Sequence, residues 1–473
     1  MARAISYLIL FLASANSFAQ EKKWQLTEII EYAWKNHPQI NIGEAQQQNF
    51  AMREEQLKAN RLPSVYFNGS ENMNAGRSID PFSYQFTNET IWSTQFSLNT
   101  SVNLFSGFQN NRNIEYNELQ KQTQEQLVEK LKNDIALAIS NQYLQVILLK
   151  EQITAIDTQL ALTQRALDRE TKLKAQGKSN DLKIKQVKAQ LTEETTQRIS
   201  LSGNEITARI QLKNQAMIPD EAFDIAIPAQ TITNEKTTET VASLYAIAEK
   251  QQAVMKYQEL NEKSKEANIE VAESSQMPSL TLNASLSSGY SSARSLTEIT
   301  YNTITTPIGY LVSTPSEIVN GFISTPTYQQ NNYPFFDQMN DNFSQFVGLN
   351  LRVPIFTQRG NKTTVGMAHV QYEIAKHETR QAAANLKRDI ELALSQYEAA
   401  RNNEQNSSNA AALQMEIYLD MQKLYKEGTT TLFELLSQKT RVFTSASLYI
   451  RNRYELIFRQ LVLEYYKGNP IKL

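Results

Sequence analysis

The stretch RLPSV at residues 61–65 opens a run in which apolar and polar side chains alternate, and a second version of it, QMPSL, lies at 276–280. The apolar end of the next such run also recurs, as VNLF at 102–105 and VPIF at 353–356. Landmarks that return in one order indicate an internal repeat. The insertion between the two landmarks is longer in the second copy, so the copies are expected to differ most there.

A third landmark follows the same order, KLKAQG at 172–177 and KLYKEG at 423–428. The sequence therefore predicts a duplicated unit in which a helix and a pair of strands are followed by long helices. The two copies are expected at 20–218 and 239–473, and a linker is expected at 219–238.

The first 19 residues have the pattern of a secretory signal. Arg3 gives a positive start, residues 5–13 are apolar, and Ser17, Phe18 and Ala19 form a small-x-small cleavage site. The apolar segment is too short to cross a bilayer. A signal peptide at 1–19 is the prediction, and a buried N-terminal helix is the alternative.

Composition limits the classes of protein that fit. The 473 residues include 14 Gly, 12 Pro and no Cys. Without Cys there can be no disulfide, no thiolate metal ligand, no thiol nucleophile and no lipid on an N-terminal Cys. Proline is absent from 82–218 and 355–469, which favours very long helices. No other stretch reaches 18 continuous apolar residues, so a membrane-spanning helix is not expected.

Period-two alternation predicts two strand pairs, at about 64–105 and 279–356. Ten or more residues of such alternation are typical of transmembrane β-strands. The segment between the second pair, 287–345, is rich in Ser, Thr, Tyr and Asn, and is interpreted as a long irregular loop on the outer side. Aromatic residues near the strand ends are candidates for the interfacial girdle, and packing inside the loops is the alternative for some of them: Tyr66, Trp92, Phe96, Phe343 and Phe346.

Four strands cannot close a barrel, and unpaired strand edges are not tolerated in lipid. If these strands span a membrane, several chains must share one barrel. Three copies would give twelve strands.

The segments outside the strands predict paired long helices. A first helix is expected at 24–60, with a break at Asn36-His37-Pro38. Long helices are expected at 112–176 and 362–427, and return helices at about 180–217 and 431–467. In the first long helix, apolar residues keep a heptad seam from Ile135 to Leu167 with Gln142 and Thr163 as polar exceptions. Gly177 and Gly428 end the long helices and are expected to be left-handed C′ residues.

In this order and spacing the chain resembles the TolC-like outer-membrane efflux and secretion channels. The resemblance covers nearly the whole mature chain. It depends on LPS at 62–64, MPS at 277–279, VNLFSGF at 102–108 and GTTTLFELL at 428–436. It implies a mixed α/β membrane protein that forms a homotrimer, with a 12-stranded β-barrel in the outer membrane of a Gram-negative cell and a periplasmic α-helical barrel. It also implies a passive exit duct that works with a periplasmic adaptor protein and an inner-membrane transporter in efflux or type I secretion.

The resemblance also implies a constricted periplasmic entrance where the paired helices turn. The candidate entrance residues are Glu434, Tyr425, Lys183 and Thr429. Glu434 matches an acidic residue that forms a ring around the axis in the family, and such rings select ions by charge; an ordinary solvated first-turn residue is the alternative. Tyr425 matches a tyrosine whose partner position falls at Lys183, where the family has an acid, so we expect an altered or missing contact and a less tightly closed pore. The turns at Gly177 and Gly428 are candidate docking tips for the adaptor.

No enzyme, cofactor or nucleic-acid partner is predicted. His369 and His377 are eight residues apart on a predicted helix, too far to share a metal ion, and phosphate loops and nucleophile motifs are missing. Acidic and basic residues alternate along the helices, which is typical of a solvated surface. The alternatives are an exported structural or adhesive coiled-coil surface protein and a secreted enzyme. The first does not explain the duplicated strand pairs, and the second lacks motifs.

Overall fold

A computed structural model describes residues 23–84, 86–219, 223–228 and 239–471. The predicted signal segment 1–19 and most of the predicted linker 219–238 lie outside the described residues. Within them the chain forms ten strands and nine helices, in the order β1 (Lys23–Trp24), α1 (Leu26–Asn36), α2 (Pro38–Ala59), β2 (Ser64–Asn74), β3 (Ser78–Ile79), β4 (Phe86–Thr87), β5 (Ile91–Ser106), α3 (Gln109–Ala175), α4 (Asp181–Gln215), β6 (Asp224–Ile225), α5 (Val241–Gln251), α6 (Ala253–Ser274), β7 (Ser279–Ser291), β8 (Ser295–Leu311), β9 (Thr314–Asn332), α7 (Phe335–Asp341), β10 (Ser344–Arg352), α8 (Gly360–Glu427) and α9 (Leu432–Tyr466).

The chain divides into two compact units. The helical unit consists of residues up to Arg53, Tyr116–Ala267 and Ala368–Leu473, and the strand unit consists of Glu54–Glu115 and Asn268–Met367. Each unit therefore takes segments from both copies of the repeat. The long helices α3 and α8 begin in the strand unit and end in the helical unit.

The helical unit is built on four long helices. α3 has 67 residues and α8 has 68, which is about 100 Å each at a rise of about 1.5 Å per residue. Both form where the sequence has neither proline nor an interior break, as predicted. None of the helices in the described part of the chain combines the length and the apolar composition that a bilayer crossing requires.

Three apolar cores hold the described helices together, and α9 contributes to each; in the smallest, Val187 of α4 packs with Leu432 and Leu436 of α9. The first joins the seam of α3 to α1 and α4, with Ile139 and Leu212 fully buried. The second joins α5, α6 and α8 around Leu244 and Ile390. The predicted seam is confirmed, since its apolar members are buried or partly buried along the whole run.

Both copies of the repeat begin with a broken helix. The break between α1 and α2 is at His37, which is extended at φ −72° and ψ 124° because the following residue is Pro38. The equivalent break between α5 and α6 is at Gln252, with nearly the same backbone angles and no proline. There the buried side chain of Gln252 donates a hydrogen bond from Nε2 to the carbonyl of Tyr465 at 2.7 Å. One copy therefore fixes the break by ring sterics and the other by a tertiary hydrogen bond.

The strand unit contains a four-stranded antiparallel sheet in the order β10-β7-β5-β2. The two predicted strand pairs are confirmed, and the pairing of β5 with β7 joins the two copies of the repeat. The second pair ends earlier than predicted. β10 stops at Arg352, because Pro354 cannot donate a ladder hydrogen bond.

The interpretation of 287–345 as an irregular loop is wrong. β7 continues to Ser291, and the remainder forms a long hairpin of β8 and β9 followed by the short helix α7. The Ser, Thr and Tyr residues that suggested a loop are strand residues here. Thr and Tyr have high strand propensity, and exposed faces of a hairpin can be polar.

Candidate functional site

One face of the four-stranded sheet carries most of its apolar residues, on all four strands, although Glu71, Thr94, Thr100, Ser288 and Gln345 share that face. The residues that share this face stand opposite one another in register, for example Phe67 with Leu98 and Leu98 with Leu286. Its members include Val65, Phe67, Trp92, Phe96, Leu98, Leu282, Leu286, Val347, Leu349 and Leu351. Phe67, Val347 and Leu349 are each at least 66% exposed in the chain by itself. Such a continuous exposed apolar surface requires an apolar neighbour.

The opposite face of the same sheet is polar. Asn68 pairs with Ser97, Asn99 with Ser285, and Asn350 with Thr281 in the register that alternates with the apolar rows. Two of the candidate girdle residues, Tyr66 and Phe346, lie on this polar face, in rows with Asn99 and Ser285. Trp92 and Phe96 lie on the apolar face, and the interfacial girdle stays a prediction.

The sheet has two free edges. β2 and β10 are the outer strands, and each has a single neighbour among the described strands. Their outward N–H and C=O groups can accept a further strand. An apolar face, a polar face and open edges together favour continuation of the sheet by another chain.

In the helical unit, the turns after α3 and α8 have the same geometry. Gly177 and Gly428 have φ values of +72° and +82°, as predicted for C′ residues. The N–H of Lys178 bonds the carbonyl of Leu173 at 2.8 Å, and the N–H of Thr429 bonds that of Leu424 at 3.0 Å. These are Schellman closures, in which the residue after the glycine satisfies a carbonyl of the last helical turn. The Thr429 hydroxyl also donates to Leu424.

Glu434 lies in the first turn of α9 as part of a capping box. Its Oε2 accepts hydrogen bonds from the N–H and the hydroxyl of Thr431, both at 2.8 Å, and from the hydroxyl of Thr430 at 2.7 Å. In return, the Thr431 hydroxyl accepts from the N–H of Glu434 at 3.2 Å. The backbone bond from Thr431, followed by the two hydroxyl bonds, lowers the pKa of Glu434 to about 2. The side chain is exposed, so this carboxylate stays charged while it caps the helix.

Tyr425 pairs with Glu170 at the end of α3. Its hydroxyl donates to Oε1 of Glu170 at 2.8 Å, and the guanidinium of Arg169 lies 5.4 Å from its ring centroid. Burial, followed by the bond to Glu170, raises the pKa of Tyr425. Lys183 takes its place in the first turn of α4, where its N–H is capped by Asn180 Oδ1 at 3.0 Å. The structure therefore gives Tyr425 an acidic partner, and the reason to expect a looser pore is removed.

A buried ion pair near these turns was missed by the sequence analysis. Lys439 on α9 and Glu194 on α4 have side chains 7% and 1% exposed, with Nζ and Oε1 separated by 3.2 Å. Nζ also donates to the carbonyl of Gln159 at 2.7 Å and to the hydroxyl of Thr163, which in turn donates to Glu194. Burial lowers the pKa of Lys439, against the opposing effect of Glu194. The signal for this pair was Thr163, the polar exception in the seam.

No group of side chains in the described ranges has the composition and proximity to hold a metal ion. The chain offers instead an amphipathic sheet with open edges and two capped helical turns.

The family model described as outer membrane efflux protein matches residues 29–216 and 244–468. This chain belongs to the outer membrane efflux protein family. Membership makes it a transport protein of the outer membrane, an efflux channel and not an enzyme. The resemblance to TolC-like channels is thereby confirmed.

Solved structures share the fold of this efflux protein at low sequence identity. The outer membrane protein VceC from Vibrio cholerae is 14% identical with a TM-score of 0.71, over 94% of this chain and 96% of its own. The CmeC outer membrane channel of Campylobacter jejuni is 14% identical with a TM-score of 0.69, over 94% and 86%. The open state of the MtrE outer membrane channel of Neisseria gonorrhoeae is 13% identical with a TM-score of 0.69, over 94% and 89%. Comparison with the sequences of curated proteins gives no match.

Proposed function

We propose that three copies of this efflux protein form one exit duct, in which their sheets join edge to edge into a 12-stranded barrel in the outer membrane. The long helices form the periplasmic tunnel. The duct is passive, and an inner-membrane transporter with a periplasmic adaptor drives export through it, in efflux or in type I secretion.

The observation that carries this proposal is the two-faced sheet with free edges. From Trp92 to Val102, the apolar residues of β5 span about 34 Å at about 3.4 Å per residue, with Thr94 and Thr100 between them. A strand tilt of about 40° reduces that to about 26 Å in height, close to the apolar band of about 25 Å in outer-membrane proteins. Because an unpaired edge cannot face lipid, β2 of one copy would pair with β10 of the next.

A pair of neighbouring substitutions tests which face meets lipid. Leu349→Arg places a charge on the apolar face at mid-strand, where it costs about 2–4 kcal/mol in a transmembrane strand. Asn350→Arg places the same charge on the polar face, one residue away. We expect the first variant to lose the trimer band in unboiled outer-membrane samples and the second to keep it. Equal behaviour of both variants would contradict the assignment of the faces.

Glu434 is proposed as an entrance ring, supported by its exposure and its charged state. Glu434→Ala would remove both the charge and the helix cap, so a change in selectivity could not be assigned to either of the two losses. Glu434→Gln keeps an acceptor at the third helical position and removes only the charge. We expect planar-bilayer recordings of Glu434→Gln to show reduced cation selectivity. Thr431→Ala, which weakens the cap and leaves the charge, is expected to retain it. Unchanged selectivity in Glu434→Gln would discard the ring and keep the channel.

The turns at Gly177 and Gly428 are proposed as the sites that meet the adaptor, because each is an exposed, closed helical turn. Cysteine at Ser179 or Thr430 provides a crosslinking probe in a chain that has no native Cys. Crosslinks from these positions to an adaptor in intact cells are the expected result.

A further inference from the structure

The β8–β9 hairpin is a long arm with both faces exposed. Its strands have 17 and 19 residues and pair with each other from Ser295 opposite Asn332 to the turn at Val312. Among the described strands, each pairs only with the other. A two-stranded hairpin without a covered face is marginally stable in water. This arm therefore needs a partner surface.

The base of the arm is held firmly. Gln338 on α7 is fully buried, and its Oε1 accepts from the N–H of Ser291 at 3.0 Å. Its Nε2 donates to the carbonyls of Ser291 and Tyr333, at 3.1 Å and 2.9 Å. The Ser291 hydroxyl bonds the buried carboxylate of Asp80. One side chain thus joins the two ends of the hairpin, which fixes where the arm starts.

The two faces of the arm differ in composition. One face carries Ile299 opposite Tyr328, Tyr301 opposite Pro326, and Thr305 opposite Phe322; we refer to these six residues with Thr303 and Ser324 as the apolar hairpin face. The other face has mainly Thr, Asn, Gln and Glu over the same rows, with one aliphatic pair, Ile304 opposite Ile323. Phe322 is 80% exposed, and Val312 at the turn is 99% exposed. Exposed aromatic and aliphatic pairs of this kind mark interaction surfaces.

The arm carries little charge that would oppose contact with a second copy. Residues 295–332 contain no Lys or Arg and only two carboxylates, Glu298 and Glu317. Natural edge strands are usually protected from pairing by charged side chains, Lys above all. Several copies of this arm could therefore meet without the repulsion that would normally keep edges apart.

We propose that the apolar hairpin faces of neighbouring copies pack against one another in the trimer, forming a collar at the end of the sheet where β7 stops. This inference rests on the trimer of the proposed function. If β2 and β10 each pair with another copy, three arms are brought to the same end of the assembly, each on a fixed base. Tethering raises the effective concentration of the arms to the millimolar range, so even a weak contact is occupied.

Two matched cysteine variants test the collar in the native trimer. Thr303→Cys lies on the apolar hairpin face opposite Ser324, and Thr300→Cys lies on the other face opposite Thr327. Both threonine side chains are exposed in the single chain, and both substitutions replace threonine with cysteine. The measurement is the rate of maleimide–polyethylene glycol labelling in detergent-purified trimers, with heat-dissociated protein as the reference.

We expect Thr303→Cys to label at least roughly tenfold more slowly than Thr300→Cys in the trimer, and at an equal rate after dissociation. Equal rates in an intact trimer would overturn the collar and leave the channel standing. If no trimer band forms with the wild-type chain, the proposed function fails instead. If Thr303→Cys is protected in membranes but not in the detergent-purified trimer, lipid covers the face, and the assignment to a second copy is wrong.

Discussion

Replacing Lys439 with methionine should expose how strongly the helical unit depends on its buried ion pair. Met has a similar length and fills most of the space of the lysine stem, so the main loss is the charge. The Glu194 carboxylate, 1% exposed, would then lie buried without a counter-charge. At 3.2 Å and an effective dielectric constant of about 20, the lost attraction is about 5 kcal/mol.

The net destabilisation is smaller, because the carboxylate keeps other donors. Gln159 Nε2 at 2.8 Å, Gln190 Nε2 at 3.0 Å and the Thr163 hydroxyl continue to solvate it. Breaking one partner of a buried pair typically costs about 3–5 kcal/mol. With three donors left, we expect the lower end, about 3 kcal/mol, or roughly a 150-fold change in the unfolding equilibrium.

The assay is denaturant unfolding of detergent-solubilised protein, followed by helical circular dichroism. Lys423→Met is the matched control, because Lys423 pairs with Asp420 at 2.8 Å on the surface, with both side chains 71% exposed. Exposed pairs contribute little, so this variant should unfold like the wild type. Glu194→Gln combined with Lys439→Met should recover part of the loss, because the amide oxygen can accept from Gln159 and Gln190 while the amide NH2 donates to the Thr163 hydroxyl oxygen.

Two results would refute this reasoning. If Lys439→Met unfolds within about 1 kcal/mol of the control, the buried pair does not stabilise the unit as argued. If the double variant loses the sum of both single changes, Lys439 and Glu194 are not energetically coupled.

Three further predictions concern the turns. Gly428→Ala should destabilise the folded protein by about 1–2 kcal/mol, because φ is +82° at this position. The control Gly366→Ala, inside α8 with open space around it, should stabilise the folded protein by about 0.5–1 kcal/mol. Equal effects of the two substitutions in denaturant unfolding would contradict the left-handed turn. Tyr425→Phe should lower the free energy of unfolding by about 1–3 kcal/mol, because it leaves a Glu170 oxygen without its donor. Since the pKa of Tyr425 is raised, the wild type should lose this advantage only as pH rises above about 10. A difference in stability between the two proteins that persists undiminished at strongly alkaline pH would count against the hydrogen bond. Since the pKa of Glu434 is lowered to about 2, its capping contribution should be complete at neutral pH and be lost only as pH falls towards that value; a loss of cation selectivity already between pH 7 and 5 would require a different ionisable group.

The parts of the fold that depend on local pattern could be predicted from the sequence. The seam of α3, the left-handed glycines and the two strand pairs each follow from periodicity or from one residue type at one position. The β8–β9 hairpin was not recognised, because its alternation of apolar and polar residues is weak. Threonine lies on both of its faces, and the aliphatic pair Ile304 and Ile323 lies on its more polar face.

The site residues were harder, since their partners lie far apart in the sequence. Glu434 and Tyr425 could be identified from their positions in the family motif. Glu170 and Glu194 could not, because nothing in the sequence distinguishes them from the other acidic residues of these long charged helices. Only Thr163 in the seam gave a hint. A polar residue kept inside an apolar stripe indicates a buried polar partner, and here that partner is the ion pair itself.

The duplicated chain does not contain two versions of these contacts. Aligning KLKAQG with KLYKEG places Lys439 over Lys188, which is exposed, and Glu194 over Ser445. Both acceptors, Glu170 and Glu194, come from the first copy, and both donors, Tyr425 and Lys439, come from the second. If the two copies were identical, each would contain both the donor and the acceptor. The contacts would then not distinguish the first copy from the second. Each copy supplies only the donor or only the acceptor of each contact. These contacts therefore form between a helix of the first copy and a helix of the second, and not between two equivalent helices. The polar contacts near the turns thus favour the pairing of the first copy with the second.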